Sequence, residues 1–230
     1  MAHFEAVLFD LYDTLATINI EDYRLAKQRM AQLAGLNPVQ FTEVWKRYTK
    51  PAARGDVSTI EERINRVVTD MGASLPIGTI EQMAHIEQDL QENKIKKIDG
   101  CDDVLADLSH FGFKLAVVTN TSSASKSIPS ILGIAQWLDS VIFSFECHLL
   151  KPEIGIYQLA AERLNVAPSA CVFVGDGNDM ELDGAKNAGM YAIKAATVRD
   201  DSLSAKQSTI FDSQVLSLFE VAPLIMKLSE

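Results

Sequence analysis

Phe4-Glu5-Ala6-Val7-Leu8-Phe9-Asp10-Leu11-Tyr12-Asp13-Thr14-Leu15 sets the architecture of this chain. Phe4–Phe9 is a strand-length, mainly apolar run that stops at the carboxylate of Asp10. A strand buried between two helix layers has this composition, because neither face meets water. Similar runs recur at Leu115–Val118, Val141–Phe145, Cys171–Val174 and Tyr191–Ile193. Helical patterns separate the later ones. Val104, Leu105, Leu108 and Phe111 recur at helical spacing, with Asp102 and Asp103 in the first turn and Gly112 as a stop. Glu153–Leu164 follows Pro152 as another helix. Strands alternating with helices predict an α/β fold, a doubly wound parallel sheet with a Rossmann-like core.

The first strand breaks this rhythm, because a long helical stretch follows it. Tyr23, Ala26, Met30 and Leu33 mark a first helix. Asn37-Pro38-Val39-Gln40 opens a second, whose apolar stripe is Phe41, Val44, Trp45 and Tyr48. Ser58-Thr59-Ile60-Glu61 reads as a capping box before Ile60, Ile64, Val67, Val68 and Met71, closed by Gly72, and Thr79-Ile80-Glu81-Gln82 opens a fourth helix. Four amphipathic helices in a row predict a helical cap subdomain over 17–95, inserted into a core made of 1–16 and 96–230. The tail from Asp200 is Ser-rich and then apolar over Val215–Leu228, which predicts a surface loop and a packed last helix.

Composition narrows the function classes. Of 230 residues 47% are hydrophobic and 23% charged, with 12 Gly and 7 Pro, which excludes disordered and collagen-like chains. No apolar stretch approaches the ~20 residues of a membrane span, and the start lacks the basic region of a signal peptide. Three widely spaced Cys (Cys101, Cys147, Cys171) match neither a disulfide framework nor a metal knuckle, so a reduced, cytoplasmic compartment is expected. A net charge of −10 without a basic stripe argues against a nucleic-acid partner. Small anionic substrates remain open to it, provided positive charge is concentrated locally.

In an open parallel sheet, ligands bind beyond the carboxyl ends of the strands. Those ends here carry Asp10 to Leu15, then Thr119-Asn120, then Lys151-Pro152, then Gly175-Asp176-Gly177-Asn178-Asp179-Met180-Glu181. Each cluster has a bland reading as a cap, a turn or a solvated lysine. Four in order, each after its own strand, point instead to one rim. Two carboxylates, a hydroxyl and an amine suit a nucleophilic acid, a second acid for a hard divalent cation, and donors for phosphoryl oxygens.

At these residues the chain resembles the haloacid dehalogenase-like hydrolase superfamily, over essentially its whole length. Asp10–Leu15 is similar to its first signature, Leu115–Asn120 to its second and Lys151-Pro152 to its third. Gly175-Asp176 through Glu181–Ala185 to Ala188-Gly189-Met190 is similar to its fourth. The insertion resembles that superfamily's helical cap. The resemblance implies a phosphatase for a small phosphorylated metabolite, with Asp10 forming an aspartyl-phosphate. It implies Mg²⁺ held by Asp10, the Tyr12 carbonyl and Asp176. Thr14, Thr119 and Asn120 would contact substrate, and Lys151 would neutralise charge around Asp10.

Two residues depart from the pattern. Superfamily phosphatases carry an acid–base Asp two residues after the nucleophile, where this chain has Tyr12. A phenol with a pKa near ~10 is a poor base at neutral pH, so a slow phosphatase, or one favouring good leaving groups, is expected. Glu181 stands where Asp is common, with Asp179 as an alternative acid on the metal side. Tyr12 also raises a rival, because 2-haloacid dehalogenases of the superfamily carry Asp-x-Tyr there and use no metal. They lack the Gly-Asp kept here at Gly175-Asp176, and they hold the substrate carboxylate with a cap Arg. Lys46, Arg47, Lys50 and Arg54 are either a solvated helix face or a cap patch for an anionic substrate. A third reading, from another class, is a catalytically weak phosphate-binding protein. His3, His85, His110 and His148 show no ligand spacing, and oligomeric state is not legible.

Overall fold

The computed structural model describes residues 3–197 and 206–229. Strand β1 (Ala6–Phe9) leads through β2 (Ala16–Ile18) into α1 (Ile20–Leu33), α2 (Pro38–Arg47), α3 (Thr49–Arg54), α4 (Ile60–Asp70) and α5 (Ile77–Asn93). The chain returns through β3 (Ile95–Lys97) to α6 (Cys101–His110), β4 (Lys114–Thr119), α7 (Ile128–Ile131), β5 (Ser140–Phe143) and α8 (Ser144–Cys147). It continues with α9 (Ile154–Leu164), β6 (Cys171–Gly175), α10 (Glu181–Asn187), β7 (Tyr191–Ala195), β8 (Ser213–Val215) and α11 (Val221–Ser229).

Six strands form one parallel sheet in the order β5-β4-β1-β6-β7-β8. Strand alternation sorts β1 onto two cores. Ala6 and Leu8 pack with Tyr157, Ala160 and Phe173 on one face, and Val7 and Phe9 with Leu105, Leu108 and Ile225 on the other. Both faces are covered, as a parallel sheet requires. The winding reverses at β1, which has β4 on one side and β6 on the other, so the switch-point crevice lies just beyond Phe9.

The strand expected over Val141–Phe145 ends at Phe143, because Ser144 turns the chain into α8; its Oγ accepts from Thr121 N at 2.9 Å. Short β2, β3 and β8 exist through their pairings and carry no apolar run to announce them. The tail contributes β8 and α11; of the Ser-rich loop expected from Asp200, residues 200–205 lie outside the described residues.

Helices α1–α5 enclose their own core, with Met30, Phe41, Trp45, Ile64 and Met83 at its centre. The antiparallel ribbon β2–β3, with Thr17 opposite Lys96, joins this cap to the sheet, and the expected divisions at 16/17 and 95/96 fall within it. The cap has five helices rather than four, since Pro51 sits in the first turn of α3, where its missing N–H costs nothing. The expected capping box is displaced by one residue. Thr59 Oγ1 accepts from Glu62 N at 3.1 Å, and Glu62 Oε2 accepts from Ser58 N at 2.8 Å. Helix α5 starts at Ile77, before the expected Thr79, with Pro76 at its cap position. Among the described residues no helix is long and apolar enough to cross a membrane.

Cap and core touch away from the ribbon as well. Arg54 at the end of α3 donates to the His148 carbonyl at 3.0 Å and pairs with Glu153. Gly55, at φ +84°, lies so close to the Phe145 carbonyl that a Cβ there would collide with it.

Candidate active site

Asp10 follows β1 directly, and its N–H donates to Val174 O at 2.9 Å, which locks the residue to the rim beside β6. The chain then turns tightly. Leu11 O accepts from Leu15 N and Ala16 N, and Asp13 (φ +59°) donates its N–H to Ala16 O at 2.7 Å. The Tyr12 carbonyl takes no part in these bonds.

Lys151 Nζ donates to Asp10 Oδ1 and, at 2.6 Å, to Glu181 Oε2. On the far side of β6, Gly177 N donates to Glu181 Oε1 at 3.0 Å, and Asn178 N donates to Asp176 Oδ1 at 2.9 Å. A Cβ at Gly175 would collide with the Glu181 carboxylate, so only glycine lets that side chain tuck beneath Asp176. Tyr157, buried in the sheet face, donates to Glu181 O at 2.6 Å. Asp10, Asp176 and Glu181 thus each place an oxygen within 4.8 Å of the others. Of the two candidates on the metal side, Glu181 joins this cluster; Asp179, at φ +52°, stays exposed outside it.

Burial dominates the electrostatics. It raises the Asp10 carboxyl to about 7, reinforced by Glu181 and opposed by Lys151. It raises Glu181 to about 7 and Asp176 to about 6, with the neighbouring carboxylates adding to the shift. For Lys151 burial acts downward, but Asp10 and Glu181 outweigh it and keep the ammonium charged. Three carboxylates face one ammonium, a donor set of hard oxygens suited to a divalent cation.

The other expected site residues divide. Thr119 ends β4 at 1% exposure, and its Oγ1 has no hydrogen-bond partner among the described residues. A buried, unpartnered hydroxyl on this rim is a donor in need of an acceptor. Asn120, expected to touch substrate, instead clasps Lys151: its Nδ2 donates to Lys151 O at 2.9 Å and its Oδ1 accepts from Lys151 N at 2.8 Å. The amide is spent on positioning the lysine. Thr14, also expected at the substrate, is fully buried with Oγ1 3.5 Å from Asp10 Oδ2, so it faces the carboxylate. Tyr12 turns away from the reaction centre. Its hydroxyl donates to Gln91 Oε1 of α5 at 2.6 Å and lies 2.7 Å from Ser125 Oγ, which accepts from Thr121 Oγ1. Burial pushes this phenol up to about 12. Tyr12 therefore ties the turn after Asp10 to the cap.

A cleft of about 790 Å³ opens above this floor, with Tyr12, Asn120 and Asp176 on the core side and Tyr23, Trp45 and Arg63 on the cap side. Of the two readings for Lys46, Arg47, Lys50 and Arg54, the cap patch finds no support in the lining, which contains none of them. The first three are exposed on the outer surface, and Arg54 is engaged with Glu153. The cap's buried charges are Lys27, Glu87 and Arg63. Lys27 pairs with Glu87, and its ammonium lies over the Tyr23 and Trp45 rings. Arg63 stacks 4.0 Å from the Trp45 ring centre and donates through Nη2 to Trp45 O (2.9 Å) and Thr49 Oγ1 (3.0 Å). Sequence reasoning passed over all three. A signal existed: Lys27 lies in register with Tyr23 and Met30, Arg63 with Ile60 and Val67, and Glu87 with Met83 and Leu90, charges on an apolar stripe.

Comparisons with known proteins agree with this geometry. The chain is 29% identical over 194 residues to the glyceraldehyde 3-phosphate phosphatase of Methanopyrus kandleri, covering 83% of each chain. It superposes on the 2-haloacid dehalogenase of Pseudomonas syringae at TM-score 0.75 and 20% identity, covering 98% and 99% of the two chains. It superposes on CbbY of Rhodobacter sphaeroides, solved with phosphate, at TM-score 0.66 and 24% identity, covering 95% and 96%. At those identities the two structures speak for the fold alone. A family model for haloacid dehalogenase-like hydrolases matches residues 4–189, and the chain belongs to that family of hydrolases.

Proposed function

We propose that this hydrolase is a Mg²⁺-dependent phosphatase of small phosphorylated metabolites, working through an aspartyl-phosphate on Asp10. The observation that carries the reading is the convergence of Asp10, Asp176 and Glu181 within 4.8 Å, beside a charged Lys151. Uncompensated, that cluster repels a phosphate. Asp10, Asp176 and the Tyr12 carbonyl would hold Mg²⁺, with the Glu181 carboxylate close by, and the ion would supply charge neutralisation and Lewis acidity.

The chain's own residues do the rest. Lys151 grips Oδ1 of Asp10, orients the carboxylate and opposes the burial that raises its pKa. Asn120 holds the lysine's backbone. Thr119 Oγ1 donates to an equatorial phosphoryl oxygen. In the first step an Asp10 oxygen forms a bond to phosphorus as the P–O bond to the alcohol breaks, and the alkoxide takes its proton from solvent water. In the second, water attacks phosphorus, the bond between phosphorus and the Asp10 oxygen breaks to restore the carboxylate, and the attacking water's proton passes to solvent. Tyr12 is tied to Gln91 with its phenol at about 12, so it supplies no proton transfer near neutral pH. Turnover therefore depends steeply on the leaving group. The relatives' names make triose phosphates a first class to assay. Cys101 and Cys171 are buried free thiols, in keeping with a reduced, cytoplasmic setting.

The test is a phosphoester panel and 2-chloropropionate, each with Mg²⁺ and with EDTA, using Asp10→Asn as blank. Metal-dependent phosphate release is expected. Metal-independent chloride release overturns the reading in favour of a dehalogenase, and no release from either leaves a binding protein.

A further inference from the structure

The loop that carries Asp176 and Glu181 is held by a segment outside all four strand-end clusters. Gln207-Ser208-Thr209 lies against it, with Gln207 bridged antiparallel to Asn178. Ser208 N donates to Gly177 O at 2.7 Å. Ser208 Oγ accepts at 3.0 Å from Leu182 N, one of the amides that the start of α10 leaves without an intrahelical partner. Thr209 donates to the Asp183 carboxylate through its N (3.1 Å) and its Oγ1 (3.2 Å). Ser208 and Asp183 are buried, and these bonds satisfy groups that are costly to bury alone. Pinned in this way, Gln207 reaches Asp176 through one intermediate. Asn178 grips both oxygens of that carboxylate, its N–H donating to Oδ1 at 2.9 Å and its Nδ2 to Oδ2. An ionised carboxylate only accepts, so Asn178 must turn Nδ2 inward and its own Oδ1 outward. That Oδ1 accepts from Gln207 Nε2 at 2.5 Å. The polarity is fixed at each link, from Gln207 to Asn178 to Asp176.

We propose that Asn178 and Gln207 are positioning residues for the cation site: they fix the plane of the Asp176 carboxylate and so set how tightly Mg²⁺ is held. This rests on the metal-dependent reading for the role of Asp176, and not on which phosphoester is cleaved. Hydrogen bonds behind a ligating carboxylate strengthen metal binding because the side chain is already oriented when the ion arrives. Gln207 adds to this by denying Asn178 the flipped orientation, in which a carbonyl oxygen would face the acid.

The experiment titrates the full chain with Mn²⁺, followed by electron paramagnetic resonance, and then displaces it with Mg²⁺, with no substrate present. Asn178→Ala should weaken both ions by about 10- to 100-fold, the usual cost of losing a partner behind a metal ligand. Gln207→Leu keeps the bulk and removes the donor; acting one bond further out, it should weaken them by about 3- to 10-fold. The double variant should bind no more weakly than Asn178→Ala alone, because Gln207 reaches the site through Asn178. An unchanged affinity in Gln207→Leu, or effects that simply add in the double variant, overturns the proposal. A measurement on the unaltered protein covers the case of a variant that fails to fold. The side-chain NH₂ resonances of Asn178 and Gln207 should shift when Mg²⁺ is added, and resonances that stay in place overturn the proposal as well. Turnover is measured separately. The expected affinity losses in a protein that releases no phosphate leave the relay standing and sink the phosphatase. Metal-dependent phosphate release with parental affinity in Gln207→Leu sinks the relay alone, and a parent that binds neither ion overturns both.

Discussion

Two charge clusters reach one cleft, the floor through Asp176 and the cap through Arg63 and Glu87, and they are built in opposite ways. The floor cluster (Asp10, Asp176, Glu181, Lys151) hangs from the ends of parallel strands, where backbone hydrogen bonds such as Asp10 N to Val174 O set positions before side chains meet. The cap cluster (Lys27, Glu87, Arg63) is assembled from α1, α5 and α4, so it exists only if three helices pack in one register. The floor is excess acid and suits a cation. The cap interior carries two cations to one carboxylate. Positions at the floor are therefore set by the sheet, and those in the cap by helix packing.

The largest effect should come from breaking the floor. Asp10→Asn removes the nucleophile and should lower kcat by about 10⁴-fold or more, read by steady-state phosphate release; activity within tenfold of the parent would remove Asp10 from that role. The matching break in the cap is Lys27→Met, which strands Glu87 in an apolar setting. Urea unfolding should show a loss of about 3–5 kcal/mol, largely recovered by adding Glu87→Leu. A loss below about 1 kcal/mol would mean that the cap cluster is far better hydrated than its burial indicates.

A smaller effect tests the donor between the two. Thr119→Val deletes the unpartnered hydroxyl and should cost about 10²-fold in kcat while leaving stability nearly unchanged, since nothing in the fold uses that oxygen. A mutant that is destabilised but fully active would reverse that assignment. The smallest concerns the tie between the regions. Tyr12→Phe breaks the bond to Gln91 and should cost about 1 kcal/mol of cap closure, seen as a severalfold rise in KM and faster hydrogen exchange in α5. Unaltered exchange in α5 would show that the tie does not hold the cap down.

What could be read from the chain follows from the same contrast. The strand ends were legible because an apolar run that halts at Asp10, Thr119 or Gly175-Asp176 signals its own boundary. Lys151 and Glu181 came with those ends. Asn120 and Thr14 were assigned to the right neighbourhood, but their contacts with Lys151 and Asp10 were not legible, because loop position does not say which way an amide or hydroxyl turns. The capping box slipped by one residue because Ser58 and Thr59 are equally good caps, and the backbone geometry at Thr59 chose between them. Arg54 stood open between a solvated helix face and a cap patch until α3 carried it against Glu153 and His148.

The architecture and the chemical floor were thus written in the order of residues alone. Period and strand length specify a buried parallel sheet, and such a sheet must bring its carboxyl ends to one rim. Folding in three dimensions was needed to show that Tyr12 reaches for Gln91 and that Lys27 and Arg63, among several cap cations, are the ones turned inward. The reason is physical: strand ends inherit their positions from a hydrogen-bonded lattice, whereas a helix face acquires its neighbours only when helices distant in sequence pack together.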